Sequence, residues 1–140
     1  MQLNQEDINS LSDYFIPALF QKKIDKKFEI RIFYINEKLF PMAIFSQNDQ
    51  LTFIDYRNYN SDRQNRNVPF KLPNEIYNKI IQFVRNKKSN TGSIDLIYSV
   101  DDEYIFLEDN PMGQYDWVSK YCNYYIEREI FKQLTNGKNI

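Results

Sequence analysis

The chain has 140 residues, 42% hydrophobic and 16% aromatic, with a formal net charge of −1, one cysteine and no histidine. That is the size and apolar content of one domain with a real core, and the charge gives no global pull toward nucleic acid or membrane. The missing histidine removes Ser-His-Asp and Cys-His nucleophile systems, His-ligated zinc and imidazole general bases in one step, which leaves carboxylates, cationic side chains, hydroxyls and a hard metal ion.

The start, MQLNQEDINS, is polar and acidic, unlike a signal or transit peptide, and no apolar run approaches a membrane span. Cys122 has no partner for an internal disulfide, and a cytoplasmic location is expected. Residues 1–16 read as a polar lead-in with a short helix over 5–14, stopped by Pro17. Residues 18–24 (ALFQKKI) read as a short extended segment. Residues 28–35 (FEIRIFYI) alternate as a strand, with Phe28, Ile30, Ile32 and Tyr34 on one face and Glu29, Arg31, Phe33 and Ile35 on the other. Asn36-Glu37 turns the chain into 38–46 (KLFPMAIFS), where Pro41 argues for an edge strand or a bulge. Residues 51–56 (LTFIDY) are a third strand candidate.

Residues 58–69 form a long polar stretch, with Arg57, Arg63 and Arg66 spread along it against one acid, Asp62. Such loops are functional or solvated, and a solvated basic loop is the plainer reading. Residues 73–88 predict an amphipathic helix: Pro73 suits its first turn, Ile76, Ile80, Phe83 and Val84 form the stripe, and Arg85, Lys87 and Lys88 complement its C-terminal dipole.

Two apolar runs, 93–100 and 103–107, then flank Asp101-Asp102, which reads as a tight turn between antiparallel strands. Val100 would face Glu103, and Asp95 would lie opposite Glu108. Two facing carboxylates repel each other. Asn110 follows Glu108 by two residues and would share its face, giving an all-oxygen cluster suited to Mg²⁺, or Mn²⁺ in its place. From residue 89 to 119 there are seven acidic side chains and no Lys or Arg, so a neutralising cation must come from elsewhere in the fold or from solvent. The plain alternative is a surface hairpin with solvated acids, which suits Asp101, Asp102 and Glu103 better than it suits Asp95 and Glu108. After an irregular stretch carrying Tyr115, Trp117 and Val118, a last helix is expected over 123–134, with Gly137 beyond it. The order describes an α+β domain over 17–135, a mainly antiparallel sheet with covering helices, followed by a tail at 136–140.

A magnesium-bound polyphosphate needs carboxylates for the metal and guanidinium groups for its oxygens. The hairpin offers the first; Arg31 and the 57–66 stretch offer the second. Arg31 lies mid-strand among Ile30, Ile32 and Phe33, where a charge is costly without a partner, so a structural ion pair with Glu29 or another acid is the alternative there. With three glycines and no Gly-rich phosphate loop, neither a P-loop nor a Rossmann cradle is available.

These residues resemble a known family. SIDLIYSVDDEYIFLEDNPMGQ is similar to the terminal metal-binding motif of ATP-grasp ligases, and FEIRIFYI to the strand carrying that fold's phosphate-contacting arginine. DYRNYNSDRQNRNVPFKLP and GQYDWVSKYCNYYIE resemble the ATP-grasp peptide maturases of graspetide (microviridin-like, grasp-with-spasm) pathways. The resemblance runs from about residue 15 to 134 and implies the C-terminal subdomain of an ATP-grasp fold. It further implies Asp95, Glu108 and Asn110 as Mg²⁺ ligands, with Arg31 on nucleotide phosphates. Arg57, with Asn58 beside it, would line the phosphate or acyl-phosphate region, with Arg66 as a weaker candidate. Gln21 and Lys22 would hold adenine through main-chain groups, and Glu29 falls where the fold often places a nucleotide contact. Trp117 is expected to pack rather than react. Asp109 stands where the pattern usually has an apolar residue, and Tyr121 where it has a proline.

The implied activity is ATP-dependent activation of a side-chain carboxylate of a ribosomally made precursor peptide, followed by ester or amide crosslinking. The family's enzymes are longer, with a substrate-binding region and a lid before the point where this chain begins. The chain is therefore expected to be inactive alone, and either completed by a separate polypeptide or a fragment of a longer reading frame. The alternatives are a non-catalytic remnant or binding module with weak Mg²⁺ or nucleotide affinity and, more distantly, a single-stranded nucleic-acid binder, which the near-neutral charge disfavours.

Overall fold

The computed structural model describes residues 3–12, 14, 16–18, 20–47 and 65–135. The elements run α1 (Gln5–Asn9), β1 (Lys26–Ile35), β2 (Lys38–Phe45), β3 (Arg66–Pro69), α2 (Asn74–Lys87), β4 (Thr91–Ser99), β5 (Tyr104–Asn110), α3 (Asp116–Cys122) and α4 (Ile126–Thr135). The strands form one antiparallel sheet in the order β3-β2-β1-β4-β5. Among the described residues no helix is long and apolar enough to cross a membrane.

The alternation of β1 sorts the molecule into two apolar layers. Ile30, Ile32 and Tyr34 join Ile94, Leu96 and, from α2, Ile80 and Val84. Phe33 and Ile35 face the other way and join Phe40, Met42 and Ile44 of β2 with Val118, Cys122 and Ile126 of α3 and α4. Both faces of the central strand are covered, so seven consecutive residues from Glu29 to Ile35 are buried. Fully burying an aliphatic side chain contributes about 1.5–3 kcal/mol, so these two layers dominate the favourable side of folding.

Pro41 lies neither on an edge strand nor at a bulge. β2 is the second strand, and Pro41 pairs with Ile32 in an unbroken register. Its carbonyl accepts the Phe70 N–H at 3.0 Å, on the side where β3 has just ended. A strand residue's nitrogen points to the same side as its carbonyl, so the missing N–H falls outside the β1–β2 ladder. The stretch expected to be loop through residue 69 ends as strand β3. Residues 51–56, a strand candidate, lie outside the described residues, as does the 136–140 tail.

The helices differ in extent from their expected bounds. α1 stops at Asn9 and buries no side chain, so only its Asn4–Asp7 capping box supports it, and one short solvated helix does not propagate. α2 matches its expected span to within a residue, capped by Pro73 and ended by Lys88 at φ 57°. Within it Ile81 is buried while Phe83 is 38% exposed, turned toward Phe106 with ring centroids 5.6 Å apart. The stretch expected to be irregular around Trp117 is α3, because Val118 and Cys122 fall one turn apart on the buried side. The final helix begins later than expected, since Asn123 adopts φ 52° as the cap of α3.

Candidate functional site

The hairpin β4–β5 brings Asp95 opposite Glu108, through two offsets that cancel. The loop is one residue longer than a two-residue turn: the Ser99 N–H bonds the Glu103 carbonyl at 2.9 Å, and Asp102 takes φ 63°. That is the three-residue connection with a left-handed third residue, and it slips the register by one through Leu96↔Phe106. A bulge at Leu107 restores it, so that Asp95 faces Glu108, Ile94 faces Asp109 and Ser93 faces Asn110.

Continuing across the sheet, Met42 faces Arg31, Arg31 faces Asp95 and Asp95 faces Glu108. The next row on the same face runs Phe40, Phe33, Ser93 and Asn110. The structure thus brings Arg31, Asp95, Glu108 and Asn110 together on the α3 side of the sheet. Arg31 donates from Nη1 to Asp95 Oδ2 at 2.7 Å, and both side chains are 9% exposed. The cation that the acidic stretch lacks therefore comes from β1. The Trp117 ring lies 5.9 Å from the guanidinium carbon, so the packing residue also flanks the arginine.

Burial pushes the Asp95 carboxyl up to about 6; Arg31 pulls it back down, while Glu108, within hydrogen-bonding reach, pushes it up again. A buried acid touching an exposed one holds two negative charges comfortably only with a shared proton or a cation between them. Asn110 is exposed, and its Oδ1 accepts the Met112 N–H at 2.9 Å, which fixes the carboxamide at the turn. Ser93 is fully buried in the Asn110 row, and its hydroxyl has no hydrogen-bond partner among the described residues. Gly113 presses onto it: a Cβ there would stand 2.3 Å from Ser93 Oγ.

The donor set suits a hard divalent ion, with two carboxylates, an amide oxygen and room for water on the exposed side. Among the described residues no group of three or more His, Cys, Asp or Glu side chains is placed to hold a metal. Any metal here would rest on two carboxylates, the Asn110 oxygen and ligands from outside the protein.

Other candidate residues fall elsewhere. Glu29, two residues before Arg31 on the same face, is buried and engaged by Lys26 Nζ and the Ser46 hydroxyl. Arg66 begins β3 and lies over the Phe45 ring at 5.4 Å, on the α2 face and at the opposite edge from β5. Four strand spacings, about 19 Å, and the sheet itself separate it from Glu108. The structure does not bring Arg66 to Arg31, Asp95, Glu108 or Asn110. Gln21 and Lys22 are exposed in the irregular segment leading into β1. Arg57 and Asn58 lie outside the described residues. Cys122 is buried, and that burial pushes its thiol up to about 11, away from nucleophilic use.

Spacing gave no signal for three participants: Trp117 beside Arg31, and Lys26 and Ser46 around Glu29. Trp117 and Ser46 meet their partners through contacts that only the folded sheet creates, whereas Lys26 reaches Glu29 within β1, across the irregularity at Lys26/Phe28.

The architecture is that of one portion of an ATP-grasp ligase. No family model and no curated protein matches the chain, but solved structures do. Within that class the likeness is to the RiPP-associated enzymes. A Chryseobacterium gregarium RiPP-associated ATP-grasp ligase, solved with ADP and a leader and core peptide, is 29% identical with a TM-score of 0.77, covering 84% of this chain and 36% of its own. The macrocyclase MdnC from Microcystis aeruginosa MRC, bound with precursor peptide MdnA, is 30% identical with a TM-score of 0.64, covering 81% of this chain and 31% of its own. MdnB from the same organism is 25% identical with a TM-score of 0.65, covering 82% of this chain and 40% of its own. The ligase PsnB, solved with Mg and ADP, shares the fold at 15% identity and a TM-score of 0.56. The chain spans 31% to 40% of the length of the first three.

Proposed function

We propose that the chain is the C-terminal catalytic portion of an ATP- and Mg²⁺-dependent ligase that crosslinks a ribosomally made precursor peptide. The observation that carries this reading is the row Arg31–Asp95–Glu108, buried at its β1–β4 end and exposed at Glu108, with Asn110 beside it on the same face. The Chryseobacterium gregarium ligase holds ADP with a leader and core peptide, MdnC a precursor peptide, and PsnB Mg and ADP, which supports the same ligands here.

Asp95, Glu108 and Asn110 would hold the magnesium. When bound, the ion supplies charge neutralisation for the transferred phosphoryl group. Arg31, held by Asp95 and flanked by Trp117, keeps a guanidinium with several donors at the same face, suited to phosphate oxygens. Arg57 and Asn58 are proposed to line the phosphate region, and main-chain groups near Gln21 and Lys22 to hold adenine. Arg66, at the far edge of the sheet and on its other face, is given no part in this site.

The reaction needs no protein nucleophile. A side-chain carboxylate of the peptide attacks the terminal phosphorus of ATP, releasing ADP and leaving an acyl phosphate. A hydroxyl or amine of the same peptide then attacks the acyl carbon, loses its proton and expels phosphate, giving an ester or amide. Positioning and charge neutralisation suffice for both steps. A substrate-binding region and lid, on a separate polypeptide or elsewhere in a longer reading frame, would complete the site.

A second reading, a non-catalytic binding module, is favoured by the buried Arg31–Asp95 pair, which neutralises Asp95 without a metal. Incubation with ATP, Mg²⁺, a precursor peptide and the companion polypeptide decides between them by mass spectrometry. Loss of one water per crosslink is expected; an unmodified peptide under conditions where Mg-ADP binds would leave the binding module.

A further inference from the structure

Glu108 and Asn110 sit on an edge strand, beyond a bulge, and both are exposed. Strand edges fray, and bulged ones slip, so something must hold this end of β5 in register. The residue between them points the other way. Asp109 faces Ile94, on the α2 side of the sheet, and its side chain is only 7% exposed. Lys87, the last residue of α2, makes an ion pair with one of its oxygens. The single proton of the Tyr34 hydroxyl is shared between the other oxygen, at 3.3 Å, and Ser89 Oγ, at 3.1 Å.

Tyr34 belongs to β1, two strands away, and is fully buried. It reaches β5 because its neighbour on β4 is Gly92. A Cβ on Gly92 would stand 2.6 Å from the Tyr34 oxygen and 3.0 Å from the Asn110 carbonyl oxygen. The glycine leaves the gap through which β1 holds β5. One acidic side chain is thereby tied to the central strand and to a helix end, at the residue flanked by two of the three candidate metal ligands.

We infer that Lys87, Asp109 and Tyr34 form a positioning clamp that pins the post-bulge end of β5 from the α2 face, presenting Glu108 and Asn110 in register with Asp95 on the opposite face. The consequence for the metal rests on the reading under Proposed function; the consequence for the strand does not. Lys87 and Tyr34 touch neither metal nor nucleotide in that reading, so they act only through Asp109.

Lys87→Met and Tyr34→Phe test this, with Lys87→Arg as the conservative rescue. Amide hydrogen exchange by NMR compares the ladder after the bulge (residues 93–95 with 108–110) with the ladder before it (96–98 with 104–106). Exchange roughly tenfold faster after the bulge only, restored in Lys87→Arg, is expected. Calorimetry with MgCl₂ and ADP should show affinity roughly tenfold weaker in both variants and restored by arginine. Exchange unchanged in both variants, or faster throughout the hairpin, overturns the clamp. So does localised fraying with undiminished Mg²⁺ affinity. If the unaltered protein takes up no Mg²⁺ while fraying is localised, the metal reading falls and the clamp stands.

Discussion

Replacing Glu108 with Gln should stabilise the metal-free protein while abolishing its response to magnesium. Asp95 is 6% exposed, with a guanidinium at 2.7 Å on one side and the Glu108 carboxylate on the other. Burial first, and Glu108 second among the raising influences, hold its folded pKa near 6 against an ordinary 3.8. An acid raised in this way stabilises the fold fully only below its unfolded value, and the contribution is lost as pH rises through about 6. Glu108 supplies part of that loss. A like-charge cross-strand pair is worth roughly 0.2–1 kcal/mol, which in a domain of this size is about 1–4 °C in Tm. Glutamine removes the repulsion and offers an amide donor to Asp95 in its place. The gain should appear at about pH 7.5, where Asp95 is ionised, and shrink toward pH 5, where it carries its proton. Melting curves at both pH values, with and without MgCl₂ and ADP, provide the test. A variant less stable than the parent, or a gain equal at both pH values, would refute the reasoning.

Arg31→Met leaves Asp95 buried without its cation and should cost about 3 kcal/mol in urea unfolding, while the Arg31→Met/Asp95→Leu double variant recovers most of it. A single variant as stable as the parent would mean the pair contributes nothing. Gly113→Ala places a methyl 2.3 Å from Ser93 Oγ and 2.9 Å from its backbone nitrogen, so Tm should fall by the equivalent of about 1–3 kcal/mol; an unchanged Tm would contradict the close packing. Cys122, its thiol pushed up by burial, should resist iodoacetamide at about pH 8 in the folded protein and react on unfolding. Rapid labelling of the native chain would show that the α3–α4 layer opens.

Much of the sheet was legible because its signal is local. The period-2 pattern of β1 survives burial on both faces, since Glu29 and Arg31 occupy one face among apolar neighbours. The pairing of Asp95 with Glu108 was legible for a weaker reason. A turn one residue too long and a bulge at Leu107 offset each other, and neither has a glycine to announce it. What pairing could not reveal was long-range. Arg31 meets Asp95 from 64 residues away, and nothing in either segment distinguishes that partner from Glu29. Arg66 reads as the end of the basic stretch and a weaker phosphate candidate, yet the β2–β3 register puts it with Phe45 on the face opposite Asp95. Pro41 misled because a proline excludes one ladder side, and sequence does not say how far the strand on that side extends.

The most direct test of the account is calorimetric titration of ADP into the protein with MgCl₂ present, repeated with Glu108→Gln and Asp95→Asn. Saturable, magnesium-dependent binding in the parent and its loss in both variants are expected. Magnesium-independent binding, or no binding at all, would contradict the account.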